Sequence, residues 1–150
     1  MYKLDIKIPI YDCTCHIIID EEIEKVINKY VKKRKWDKST EIQGFKVHGF
    51  TVTNSDLKDY YIFYSTESVT VNTVIHEISH LVDFILDERE IEDKGEAKAY
   101  LIGYISEQIF NYILKKNLLI NKWYKPQVPQ KVNDEKPKLL PEGSGDTEGS

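Results

Sequence analysis

His76, Glu77 and His80 lie within five residues of one another in the stretch NTVIHEISHLVDF, Asn72 to Phe84. Histidines four apart on an α-helix stack on the same face, so both imidazoles can reach one ion. Zinc accepts neutral imidazole nitrogen in tetrahedral geometry, and a catalytic site keeps one position open for water. Glu77 is turned about 100° from His76 on such a helix. It therefore reaches the open side of the metal, where a carboxylate can take a proton from water as that water attacks a carbonyl. Zinc lowers the pKa of its water to about 7, which makes hydroxide available at neutral pH. The competing reading is an amphipathic core helix carrying two satisfied histidines. One histidine alone would favour it; a pair four apart with a glutamate between favours a metal site. H-E-x-x-H arises by chance in roughly one such sequence in a hundred, so the surrounding elements must decide.

A third protein ligand is needed. The downstream acidic candidates are Asp87, Glu92, Asp93 and Glu96. Glu96 is favoured because it begins a helical pattern just after Gly95. A break there lets this helix turn back antiparallel to the histidine helix and brings its first turn near the pair. The small residues Ala97, Ala99 and Gly103 would allow the two helices to approach closely. The competing reading of Glu96 is a carboxylate favoured by the helix dipole. Asp83 suits a role behind the ligands or as a surface charge. His16 and His48 read as structural or exposed, and either completes the site if Glu96 is too distant.

The elements that must position these groups follow from periodicity. KLDIKIPIY alternates, with Leu4, Ile6, Ile8 and Ile10 on one face, and TCHIII is rich in β-branched residues; the two read as a hairpin turning at DCTC. Asp20 suits a helix N-cap. Ile23, Val26, Ile27, Tyr30 and Val31 then recur at helical spacing, with Lys32 to Lys35 at the end where cations are favourable. GFKVHGFTVTNS and DYYIFYST read as two more strands joined near Asn54, Ser55 and Asp56. Val71, Val74, Ile75, Ile78, Leu81, Val82 and Ile85 form the apolar stripe of the motif helix, with His76, His80, Asp83 and Asp87 beside it. A third helix is expected from about Glu96 to Lys116, packing through Ala97, Leu101, Tyr104, Ile105, Gln108, Ile109 and Tyr112.

The chain has 150 residues, 41% hydrophobic and 31% charged, with a formal net charge of -4. That is one domain's worth of core, and nothing in the bulk charge calls for nucleic acid or an anionic membrane. Cys13 and Cys15 form C-x-C, not the C-x2-C of a zinc knuckle; they read as reduced structural thiols of a cytosolic compartment. No signal peptide or membrane span is visible, so the expectation is a soluble, intracellular protein. Residues 1–125 read as the folded domain. Residues 126–150 carry Pro126, Pro129, Pro137 and Pro141 and then EGSGDTEGS, and read as an extended or disordered tail suited to docking on a partner.

HEISH followed by GEAKAYLIGYI resembles the gluzincin branch of zinc metallopeptidases. The pattern is most similar to small zinc peptidases encoded by bacterial viruses and prophages, in which an E-x-x-A-Y-L helix follows the H-E-x-x-H helix. The likeness spans residues 57 to 115, and its specific part is the two motifs. It implies an α+β, zincin-like domain: a mostly antiparallel twisted sheet packed on the motif helix and the helix after it, with an additional N-terminal helix. It implies Zn2+ held by His76, His80 and Glu96, Glu77 as general base, and a metalloendopeptidase acting on protein or peptide in a bacterial host cytoplasm. The departures are a shorter His80-to-Glu96 interval than in thermolysin-like enzymes and Tyr100 where a second acidic group is common. Tyr60, Tyr61, Tyr64, Tyr100 and Tyr104 are the candidates for stabilising an oxyanion. In such enzymes a peptide adds to an edge strand before the motif helix, a place that Tyr60 to Thr66 would fill unless it is a plain buried strand. The alternative from another class is a non-hydrolytic protein that keeps the fold and metal, such as a virion component.

Overall fold

The structure, a computed structural model, describes residues 1–54, 58–92 and 94–119. The expected tail at 126–150 and the turn at Ser55 and Asp56 lie outside the described residues. The architecture is α+β: a four-stranded mixed sheet with three helices. The strands are β1 (Tyr2–Ile8), β2 (Cys13–Asp20), β3 (Gly49–Asn54) and β4 (Asp59–Ser65); the helices are α1 (Ile23–Arg34), α2 (Val71–Glu88) and α3 (Lys94–Lys115). Spatial order is β1-β2-β4-β3. The two outer pairings are antiparallel, as the sequence leads one to expect, but the central pair β2 and β4 is parallel.

Burial follows the period of two along each strand. Cys15, Ile17, Ile19, Tyr60, Ile62 and Tyr64 face α2 and α3, where they meet Val74, Ile78, Leu81, Val82, Ile85, Leu101, Ile105 and Ile109. Ile18, Tyr61 and Phe63 face the other way, onto Ile23, Ile27 and Val31 of α1. The sheet is thus covered on both faces. Each fully buried isoleucine contributes about 1.5–3 kcal/mol relative to exposure, so the isoleucine-rich β2 and α2 anchor both layers.

Several boundaries differ from the expectation. The β1–β2 turn is a short 3-10 stretch, Pro9–Tyr11, closed by Asp12 in the left-handed region (φ 47°), so Cys13 and Cys15 belong to β2 and are buried. Ile10 is exposed in that turn instead of continuing the face of β1. Asp20 does not cap α1: it ends β2 and accepts the Glu22 N–H at 2.9 Å, and the helix starts at Ile23. That backbone hydrogen bond holds the Asp20 carboxyl below the usual value. GFKVHGFTVTNS forms a strand only from Gly49; before it Val47 gives its N–H to the Glu24 carboxylate at 2.7 Å, outside the sheet ladder.

Of its two expected forms, an edge strand or a plain buried strand, Tyr60 to Thr66 takes the second. As β4, most of this segment is paired on both sides, and Tyr60 to Ser65 are all buried, so it offers no free edge. The edge strand beside α2 is β3. A continuous buried run of this kind is what a strand covered on both faces looks like.

Candidate metal and catalytic site

Helix α2 starts where Thr70 accepts the Thr73 N–H on its hydroxyl oxygen at 3.1 Å. The Tyr64 hydroxyl reaches up from β4 and donates to the Val74 carbonyl at 3.2 Å, which fixes the first turns of the helix over the sheet. Burial holds the Tyr64 phenol well above its ordinary value, so this donor keeps its proton. At the other end Arg89 donates to the Tyr11 carbonyl at 2.6 Å, and Tyr60 donates to the Glu88 carboxylate. With Val74, Ile78, Leu81, Val82, Ile85 and Leu86 buried below, the opposite face of α2 is turned outward.

His76 and His80 lie on that outward face, both exposed. Their Nε2 atoms are 3.2 Å apart and their rings stand at 89°. Two nitrogens each about 2.0–2.1 Å from a tetrahedral zinc are roughly 3.3 Å apart, so the pair has the spacing of two ligands to one ion. Glu77 points to the flank facing β3 and is only 7% exposed. The Thr51 hydroxyl donates to Glu77 Oε2 at 2.7 Å. Beside it runs a cleft of about 430 Å³ whose lining includes Phe45, His48, Gly49, Phe50, His76 and Glu77. His48 Nδ1 is 2.5 Å from the Ser68 hydroxyl.

Glu96 is placed elsewhere. Helices α2 and α3 do run antiparallel, since Lys94 pairs with Asp87 and Lys98 with Asp83 (2.7 Å). The same ladder, continued, sets Leu101 level with His80. Glu96 lies five residues before Leu101, about 7.5 Å away along the axis. It also lies two residues from each of the lysines that face α2, hence roughly 200° round the helix from them. It is exposed on the far side of α3. Gly95 does not break the chain either: it sits in the first turn of α3, and the reversal occurs earlier, with Glu90 in the left-handed region (φ 53°). Gly103 is not a close-approach point, because a Cβ there would meet nothing within 4 Å. Asp83 and Asp87 are engaged by lysines, Glu92 is exposed, and Asp93 lies outside the described residues. Among the described residues, no three His, Cys, Asp or Glu side chains come together as a group that could hold a metal ion.

The remaining candidates resolve as follows. His16 lies on β2, 2.7 Å from Asp5 and 3.5 Å from Asp59, on the sheet face away from α2. Tyr60, Tyr61 and Tyr64 are buried, while Tyr100 is 60% exposed and the Tyr104 hydroxyl donates to the Lys7 carbonyl at 3.1 Å. None of the five lines the cleft beside Glu77. The cysteines behave as core thiols: burial pushes Cys13 up to about 11 and Cys15 higher still. Sequence reasoning missed Thr51 and Gly49, which meet Glu77 from β3. The alternation of Phe50 and Val52 with Thr51 and Thr53 signals a half-exposed strand there, but nothing in it points to Glu77. Comparison with protein-family models, curated proteins and solved structures finds no match for this chain.

Proposed function

We propose that the chain is a zinc-dependent metallopeptidase of zincin-fold type, with His76 and His80 as two of the metal's ligands, Glu77 as general base, and a ligand other than Glu96 completing the set. The observation that carries this reading is the pair of outward Nε2 atoms 3.2 Å apart, next to a glutamate held at the wall of a cleft. A zinc ion held by the pair would supply a Lewis acid and a water of pKa about 7. Glu77 takes the proton of the attacking water on a carboxylate oxygen and returns it to the departing amine nitrogen, a contribution of roughly 10²–10⁴-fold. The free edge of β3 borders the same cleft, so a substrate in extended conformation adds there as a fifth strand, held by main-chain hydrogen bonds. This assigns to β3 the part that the sequence suggested for Tyr60 to Thr66.

The second reading, a non-hydrolytic protein that keeps the histidine pair, is favoured by one observation: Glu96 faces away from the pair. Metal content and peptide cleavage separate the readings. Protein purified without added zinc should hold about one equivalent and cleave members of a broad peptide library. Bound zinc with no cleavage supports the second reading. No bound zinc, and no uptake when zinc is supplied, sinks both.

A further inference from the structure

Glu77 is a carboxylate buried against a strand, and two residues of that strand account for where it sits. Gly49 and Thr51 are two apart in β3, so they project from the same side of the sheet. Thr51 supplies the hydroxyl 2.7 Å from Oε2; the same hydroxyl lies 3.3 Å from the Glu77 carbonyl, and its single proton serves the shorter contact. Gly49 supplies space. A Cβ built there would stand 2.6 Å from Glu77 Cγ, 2.8 Å from Oε1 and 2.9 Å from Cδ, separations that real Cβ atoms do not show. The φ of Gly49 is not in the left-handed region, so the glycine meets a need for close approach and not for an unusual backbone.

We infer that Gly49 and Thr51 are positioning residues for Glu77: Gly49 leaves the space beside β3 that the side chain and its Oε1 occupy, and Thr51 ties down Oε2, so that the carboxylate is held in one place as the proton acceptor. A carboxylate without these two contacts has several side-chain rotamers to choose from; with them it is held ready before substrate arrives. Because the contacts come from the edge strand proposed to receive substrate, the strand that orients the substrate also orients the base. The kinetic part of this inference rests on the peptidase reading; the side-chain geometry does not.

The test compares full-length wild type with Thr51→Val, Thr51→Ser and Gly49→Ala. Valine keeps the shape of threonine and removes the hydroxyl; serine restores it. In peptide cleavage, Thr51→Val should lower kcat about tenfold, equivalent to ~1.4 kcal/mol of barrier, with KM and zinc content unchanged. Thr51→Ser should recover most of that loss, and Gly49→Ala should lose at least as much as the valine variant. The independent readout is the carbon-13 resonance of the Glu77 carboxyl in zinc-free protein, assigned by its loss in Glu77→Gln. It should move in Thr51→Val and return in Thr51→Ser. An unmoved resonance in Thr51→Val overturns the inference whatever the kinetics. A moved and rescued resonance in a protein that cleaves nothing upholds the positioning contact and sinks the peptidase reading alone.

Discussion

Replacing Glu96 by alanine should leave zinc binding intact, whereas replacing His80 should not. On α3 Glu96 is about 7.5 Å along the axis from the level of His80, and it points roughly 200° away from the lysines that face α2. Reaching the histidines would require α3 to rotate by about half a turn. That rotation would break the Lys98–Asp83 pair and pull Leu101, Ile105, Ile109 and Ile113 out of the core. Four buried side chains at about 1.5–3 kcal/mol each make this a cost of order 6–12 kcal/mol, as large as the stability of a whole domain. Glu96→Ala should therefore change the zinc dissociation constant less than about twofold, or ~0.4 kcal/mol. Its stability should fall by only about 0.3–1 kcal/mol, from loss of a carboxylate in the first turn of α3. Removing a ligand is a larger loss than the 10–100-fold seen for groups behind ligands, so His80→Ala should weaken binding by more than about 100-fold. The assay is competition against a chromophoric chelator at neutral pH, with denaturant unfolding of each variant alongside. If Glu96→Ala loses zinc as His80→Ala does, the placement of α3 is wrong, and with it the case for any site without Glu96.

Three further outcomes concern the core and the thiols. Ile78, fully buried at the centre of the α2 stripe, should cost about 2–5 kcal/mol when cut to alanine, read as a lower denaturant midpoint with an unchanged slope. Cys13 and Cys15 should react with a thiol reagent only as fast as the protein unfolds at neutral pH; fast labelling of the native state would contradict their burial. Because burial raises Cys13 from 9.0 to about 11, the unfolded chain loses that proton first as pH rises. The Cys13 contribution to stability is thus complete below pH 9.0 and declines between 9.0 and about 11, and a Cys13→Ala variant should show a shallower alkaline decline.

The motif helix was the most legible part of the sequence, because local signals agreed there. Val74, Ile78, Leu81, Val82 and Ile85 recur at 3.6-residue spacing, and the four-residue interval of His76 and His80 fixes their shared outward face on any helix. The β1–β2 pairing was legible from alternation for the same reason. What the sequence hid was tertiary. DYYIFYS carries five consecutive large apolar or aromatic residues, which marks a strand covered on both faces, but the parallel pairing that makes it central depends on α1 crossing to the opposite face. The geometry of the candidate site was legible for the residues that share α2. It was not legible for Thr51 and Gly49, whose relation to Glu77 spans about a quarter of the folded chain, or for Glu96, whose direction depends on the phase of α3. That phase is set by Leu101, Ile105, Ile109 and Ile113, which α3 buries, and Gly95 gave a misleading cue because glycine in the first turn of a helix need not break it.

The central claim is that Glu77 is a working general base beside a histidine-held zinc, and one comparison addresses it most directly: peptide cleavage by wild type and by Glu77→Gln, each with its zinc content measured on the same sample. Glutamine keeps the size of the side chain and an acceptor for the Thr51 hydroxyl but cannot take up a proton at neutral pH. Equal zinc in both proteins, with cleavage by Glu77→Gln reduced about 10²–10⁴-fold, is the predicted result. Equal cleavage by the two proteins, or cleavage by a wild type that holds no zinc, would contradict it.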